Sequence, residues 1–285
     1  MEWIERLNCA VNYIEENLRK DICVDEAAKI ACCSTYHFQR MFAYMADIPL
    51  SEYIRRRRMS LAAVDLQNRN SKVIDISLKY GYESPTAFNR AFKSVHGISP
   101  SQSKEEGITL TSYPPVSFQI TIRGVSAMNY RVEKKEAFRI VGISKPLEKE
   151  IEKNFLIVPQ MWGEAALNGA IGKLAGMIDG KTMGLLGISL CNEVDNWKYY
   201  IAVDSSQQIL EDMEEMIIPE TNWAIFTGEG SSASIQELEK RIVTEWLPTS
   251  GYEYGNAPDI EVYFGPDPNN AKYEVWIPIV RKETK

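Results

Sequence analysis

Histidine and cysteine are scarce: the 285 residues include only two histidines, His37 and His96, and five cysteines. No two of Cys9, Cys23, Cys32, Cys33 and Cys191 stand at C-x-x-C spacing. Too few ligands are left for a structural zinc site, and no metal is expected. An odd cysteine count without a framework pattern reads as reduced thiols in a cytoplasmic protein. Apolar runs long enough to cross a bilayer, about 18–20 residues, are missing, so no membrane association is expected. The start, Met1-Glu2-Trp3-Ile4-Glu5-Arg6, lacks the basic opening and apolar core of a signal peptide. Both histidines precede residue 97, which leaves residues beyond it without a Ser–His–Asp arrangement.

What is present is unevenly distributed. The net charge is −7, yet residues 34–104 carry 11 basic against 5 acidic side chains. Residues 107–285 carry 17 basic against 25 acidic. A cationic stretch joined to an acidic one points to two domains with different partners.

The first third reads as helices. Trp3, Leu7, Ala10, Val11, Ile14 and Leu18 recur at one-face helical spacing. A short apolar helix fits Asp25–Cys33, after which Ser34 reads as the cap of a helix over Thr35–Ala46. That helix has a core stripe of Phe38, Met41, Phe42 and Met45, leaving Tyr36, Gln39 and Arg40 to face outward. The pattern then repeats. A helix from Ser51 to Asn68 carries Arg55-Arg56-Arg57-Arg58, of which Arg55 is the candidate phosphate contact. A short helix fits Val73–Tyr80, and Ser84 caps another with Pro85 in its first turn. Phe88, Ala91, Phe92 and Val95 form its core stripe; Thr86, Asn89, Arg90 and Lys93 face outward. Two helix-turn-helix units follow, each able to place its second helix in a major groove of double-stranded DNA.

These residues carry a resemblance. Val73–Ser84, with Phe88-Asn89-Arg90-Ala91-Phe92-Lys93 and Gly97-Ile98-Ser99-Pro100, resembles the signature of the AraC family. Ser34–Phe42 is similar to that family's first recognition helix, and Tyr53–Met59 to its linker helix. The resemblance covers residues 1–106. It implies a reader of promoter DNA, with RNA polymerase as a further partner.

Residues 107–124 read as an extended connection able to pair as a strand. Beyond it, two segments share one order of strand, helix, strand, strand. The first runs 137–144, 158–167, 182–190 and 197–204. The second runs 223–228, 234–247, 260–264 and 273–280. Their closing strands begin alike, Lys198-Tyr199-Tyr200-Ile201 and Lys272-Tyr273-Glu274-Val275. Two such units would form one sheet with helices on one side and a cleft at the seam. Val158-Pro159-Gln160-Met161-Trp162, Trp223-Ala224-Ile225-Phe226, Ile260-Glu261-Val262-Tyr263 and Trp276-Ile277-Pro278-Ile279 resemble the GyrI-like effector-binding domain, here residues 125–285. The whole layout is similar to the Rob-type regulators.

The expected fold is therefore an all-α double helix-turn-helix domain followed by an α+β domain with a duplicated strand-helix-strand-strand unit. Trp162, Trp197, Trp223 and Trp276 fall in the acidic half, and aromatic faces attract organic cations. Glu261 and Glu274 interrupt apolar strands, where a charge is costly unless it faces water or a ligand. The candidate ligand residues are Glu261, Glu274, Trp162, Tyr200, Trp223, Phe226, Tyr263 and Trp276; the resemblance favours Glu261. Two alternatives stay open: strand alternation with Glu261 facing solvent, and aromatics that serve only as core. The function expected is transcriptional regulation by a small cationic or aromatic effector, without a cofactor or catalytic residue. A glutamate-dependent hydrolase or ligand scavenger is the alternative. No heptad repeat is visible, so a monomer or at most a weak dimer is expected.

Overall fold

The computed structural model describes residues 3–68, 70–119, 127–191, 197–265 and 271–282. They fall into two compact units, residues 1–120 and 121–285. Among the described residues, no helix is long and apolar enough to cross a membrane.

The first unit holds six α-helices: α1 (Trp3–Glu16), α2 (Val24–Ile30), α3 (Thr35–Ala46), α4 (Leu50–Leu66), α5 (Val73–Lys79) and α6 (Pro85–His96). The stripe read from the sequence is the buried face of α1, with Trp3, Leu7, Ala10, Val11 and Ile14 inside. Both expected serine caps form. Ser34 accepts the His37 N–H at the start of α3, and Ser84 accepts the Ala87 N–H at the start of α6. Phe88, Ala91 and Phe92 of α6 pack with Met59, Ala62, Ala63 and Leu66 of α4 and with Ile76 and Tyr80.

The four-arginine run serves the fold. Arg55 bonds Glu52 and donates to Ser94 Oγ at 2.8 Å, tying α4 to α6. Arg56 pairs with Glu52 at 2.5 Å and lies 4.9 Å from the Tyr113 ring. Arg57 grips Glu15 of α1 at 2.6 Å. Arg58 donates to the carbonyls of Leu18 and Lys20. Successive residues point about 100° apart on a helix, so the four arginines fan out: Arg55 and Arg56 share Glu52, while Arg57 and Arg58 reach α1 and the segment after it.

Among the described residues of the connection after α6 there is no strand. Residues 107–119 run extended but are fastened to the helices by their own N–H groups. Tyr113 donates to Ser60 Oγ, Val116 to Tyr53 Oη and Phe118 to Asn8 Oδ1. Phe118 packs edge-on to Phe42, ring centroids 5.6 Å apart. The rest of the expected connection, 120–124, lies outside the described residues.

His96 holds one point of this strap. The Thr111 N–H donates to its Nδ1 at 3.2 Å, and its Nε2 lies 3.1 Å from the Met59 carbonyl. Only the neutral ring with its proton on Nε2 satisfies both. Burial, partly opposed by the Met59 carbonyl, lowers its pKa from the ordinary 6.5. The folded state thus binds fewer protons there than the unfolded chain. Stability from this group is complete above about pH 6.5 and is lost as pH falls through the folded value. The urea midpoint of the chain is expected to drop from pH 7.5 to pH 5.5, and His96→Gln to flatten that slope; an equal slope in the variant refutes it.

In the second unit β1 (Tyr130–Lys135) and β2 (Phe138–Pro146) precede helices α7 (Ile151–Leu167) and α8 (Ala170–Gly176) and strands β3 (Leu185–Leu190) and β4 (Lys198–Asp204). Then come β5 (Glu214–Ile218) and β6 (Thr221–Gly230), followed by α9 (Ser232–Arg241). A π-helical turn, Ile242–Trp246, leads into α10 (Leu247–Thr249). The strands β7 (Tyr252–Tyr254), β8 (Asp259–Phe264) and β9 (Ala271–Arg281) close the chain. The expected duplication is present, with β1, α8, β5 and β7 added to it.

Among the described residues the strands form one sheet in the order β1-β6-β9-β8-β3-β4-β2-β5, with β7 on β9. The order is a pseudo-palindrome centred on β3 and β8. Each repeat lends its first strand to the other: β1 pairs with β6, and β5 with β2. A shift of 74 residues carries the pair Gly187–Ile201 of the first repeat onto Glu261–Val275 of the second. Gly187 and Glu261 are themselves cross-strand partners. The pseudo-two-fold axis therefore passes between a glycine and a glutamate.

One face of the sheet is covered by helices. Met161, Ala165, Leu174 and Met177 pack on Val141, Tyr199, Ile201 and Val203. Ile235, Ile242, Trp246 and Leu247 pack on Ala224, Phe226, Tyr273, Val275 and Ile277. The other face curls on itself: Phe138 on β2 meets Trp276 on β9 at 6.5 Å, although three strands lie between them.

Candidate functional site

On the helical unit, Thr86, Asn89, Arg90 and Lys93 are exposed along one face of α6. Spacings of 3, 1 and 3 residues put them in a single row, opposite Phe88, Ala91 and Phe92. Among the described residues none of the four side chains has a hydrogen bond or ion pair. Donors and acceptors suited to base edges and phosphates are thus left open. The α3 set is different. Tyr36, Gln39 and Arg40, expected to face outward, are 9%, 8% and 4% exposed. The Arg40 guanidinium lies 5.9 Å from the Tyr36 ring and 5.5 Å from that of Tyr44, one turn away on either side. Arg55 is engaged with Glu52 and Ser94 rather than free for phosphate.

In the second unit three of the eight candidate ligand residues come together. Glu261 Oε2 accepts from Tyr263 Oη at 2.6 Å and from Tyr199 Oη at 3.3 Å. Trp162 of α7 donates through Nε1 to Tyr199 Oη at 3.0 Å and meets the Tyr263 ring edge-on at 5.0 Å. Burial, then the Glu261 charge, pushes the Tyr199 and Tyr263 phenols well above their ordinary value. Both stay protonated and donate. Gly187 makes the approach possible, because a Cβ there would overlap the Tyr199 hydroxyl and lie 3.0 Å from Glu261 Oε2. The result is a carboxylate framed by two phenols and an indole, beside the pseudo-two-fold axis.

The other five lie elsewhere, and for Tyr200, Trp223, Glu274 and Trp276 strand alternation is the reason. Trp276 pairs with Ile260 while Val275 pairs with Glu261, so Trp276 and Glu261 stand on opposite faces. Glu274 shares the Trp276 face. It is already answered by Arg131 at 2.8 Å and by the Trp276 indole N–H at 2.7 Å. Lys135 lies over the Trp276 ring at 4.4 Å, so that aromatic face already has its cation. Trp223 packs against Trp276 in the curled core, and Tyr200 on the same face donates to Glu214 at 3.2 Å. Phe226 is on the helix-covered face but is enclosed beside Trp246 and Tyr130. Two residues of the cluster, Tyr199 and Gly187, were not among the candidates. The 74-residue shift that aligns Lys198-Tyr199 with Lys272-Tyr273 carries Glu261 back to Gly187, which is the signal that finds it.

Comparison with known proteins meets this geometry on both units. Residues 128–280, just over half the chain, match the GyrI-like small molecule binding domain, and residues 27–106 match a helix-turn-helix domain. The chain is 35% identical over 91 residues to the regulatory protein SoxS of Salmonella typhimurium, covering 32% of this chain and 85% of SoxS. It belongs to the AraC family and carries a GyrI-like domain. It is also 45% identical over 89 residues to the HTH-type transcriptional activator AarP of Providencia stuartii, over 31% of this chain. Here the chain spans 66% of the relative, just under two thirds. Among solved structures it is similar to SAV2435 bound to tetraphenylphosphonium, with a TM-score of 0.47 and 19% identity over 54% of this chain and 94% of that one.

Proposed function

We propose that this AraC-family regulator binds a small organic cation at Glu261 and reads promoter DNA through the open face of α6. The observation that carries the reading is the Glu261 cluster: a carboxylate beside the repeat axis, hydrogen-bonded by two protonated phenols and walled by Trp162. A lipophilic cation gains there both charge neutralisation and aromatic contact. The site is read as a binding site, with Glu261 as the counter-charge and the phenols as its hydrogen-bond donors. The chain works in the cytoplasm as a monomer, and RNA polymerase is its further partner. The effector acts by favouring one binding-competent state of the protein over another. Gln39 and Arg40 contribute base contacts only when uncovered.

The DNA half is tested by anisotropy titration of an operator-length promoter duplex. Asn89→Ala combined with Arg90→Ala is expected to weaken binding by about 1–3 kcal/mol per lost base contact. Lys93→Ala is expected to weaken all sequences alike and to reduce the salt slope by about one. If the double variant binds as wild type does, α6 is not the reading helix.

A further inference from the structure

The two helix-turn-helix pairs, α2–α3 and α5–α6, are joined by α4, whose halves serve different neighbours. In the N-terminal half the Tyr53 ring lies 5.1 Å from that of Phe42 on α3, and Tyr53 and Arg57 both bond Glu15 of α1. The C-terminal half packs Met59, Ala62, Ala63 and Leu66 on the α5–α6 pair. Arg58 stands at the changeover and reaches both sides. Its Nε donates to the Leu18 carbonyl at 3.0 Å and its Nη2 to the Lys20 carbonyl at 2.9 Å, in the turn after α1. Its remaining nitrogen, Nη1, faces Gly81 in the turn between α5 and α6, where a Cβ would lie 3.0 Å from it. Gly81 has a φ of 78°, a conformation that glycine adopts freely, and its bare backbone leaves the guanidinium room. One planar group is thereby lodged between the end of α1 and the turn that sets α6.

We infer that Arg58 is a positioning residue for DNA reading: it fixes the angle between the two helix pairs, and so the number of base pairs an operator needs between its half-sites. A single helix is one attachment, about which two bodies can turn. A guanidinium is a rigid planar fork, and one lodged between the bodies sets their angle. Two recognition helices enter successive major grooves when their separation matches one DNA turn, about 34 Å. One base pair more or less moves a half-site by about 3.4 Å and turns it by about 34°. The role rests on α3 reading DNA beside α6 once Gln39 and Arg40 are uncovered, as proposed above.

The full chain can select its own site from a pool of randomised duplexes; one base pair is then inserted or removed between the two half-sites of a selected duplex. By fluorescence anisotropy wild type is expected to bind either altered duplex about tenfold or more weakly than the selected one. Arg58→Met is expected to bind the selected duplex about fivefold more weakly and to accept all three within about threefold of one another. Its salt slope should equal that of wild type, because Arg58 directs its donors to the Leu18 and Lys20 carbonyls; a lost phosphate contact would lower the slope by about one. Arg58→Lys, which keeps the charge without the fork, should lose the discrimination as well, and it carries the test should Arg58→Met fail to fold by its thermal midpoint. A folded Arg58 variant that keeps tenfold discrimination, or a salt slope lowered by one, overturns the inference and leaves two-helix reading in place. A selected site with a single half-site overturns both, since α3 then reads no bases.

Discussion

Glu261→Gln is expected to remove organic-cation binding while leaving the free protein as stable as before or more so. The substitution keeps the shape of the side chain and deletes its charge. A cation brought into the cluster would then sit among two phenols and an indole with no counter-charge. Losing the charged partner of a desolvated pair costs about 2–5 kcal/mol of affinity, or some 30-fold to several-thousand-fold. The ligand-free protein feels the opposite effect, because Glu261 is a half-buried carboxylate on the helix-covered face of the sheet, set among Tyr199, Tyr263 and Trp162. Replacing a charge held in such a place by a neutral group relieves desolvation. Calorimetry with tetraphenylphosphonium, paired with thermal unfolding of both proteins, separates the two effects. Equal affinity in the variant would remove Glu261 from the site; a large loss of thermal stability would make it a structural residue instead.

Much of this architecture was legible because it is local. The α1 and α6 stripes follow a 3.6-residue period, and Ser34 and Ser84 cap the helices they precede. The strand-helix-strand-strand duplication was legible for the same reason. What escaped the sequence is non-local. The strands β1 and β5 are short, charged edge segments, Tyr-Arg-Val-Glu-Lys-Lys and Glu-Glu-Met-Ile-Ile, whose pairing crosses from one repeat to the other. In the site, alternation separates Tyr199 from Tyr200 and Val275 from Trp276, but it does not say which face the helices will cover. A one-residue difference of face therefore parts Tyr200, Trp276 and Glu274 from Glu261 and brings Tyr199 to it. Gln39 and Arg40 obey the outward spacing of α3 and are nonetheless buried, since helical period reports direction and not what stands in that direction.

The arginine run shows the same limit with the largest energetic consequence. As sequence, Arg55–Arg58 resembles a phosphate-binding patch; in the fold Arg55, Arg57 and Arg58 answer groups some 40 residues away. Arg57 and Glu15 are the critical pair, with side chains 9% and 16% exposed and three nitrogen–oxygen contacts of 2.6–3.0 Å. Arg57 also donates to the Tyr113 carbonyl at 2.5 Å, while Glu15 accepts from Tyr53, whose hydroxyl takes the Val116 N–H. One ion pair thereby joins α1, α4 and the 107–119 strap. Arg57→Met leaves a buried carboxylate and a strap carbonyl without their cation, and is expected to cost about 3–5 kcal/mol in urea unfolding. Arg56→Met, whose partner Glu52 is on the same helix, is expected to cost about 0–1 kcal/mol. Adding Glu15→Met to Arg57→Met should recover most of the loss, because the pair then leaves together and no charge remains buried. The single variant should also expose residues 107–119 to proteases before the helices unfold. If Arg57→Met costs no more than Arg56→Met, the strap is held by its backbone bonds to Ser60, Tyr53 and Asn8, and the arginine run is a surface feature after all.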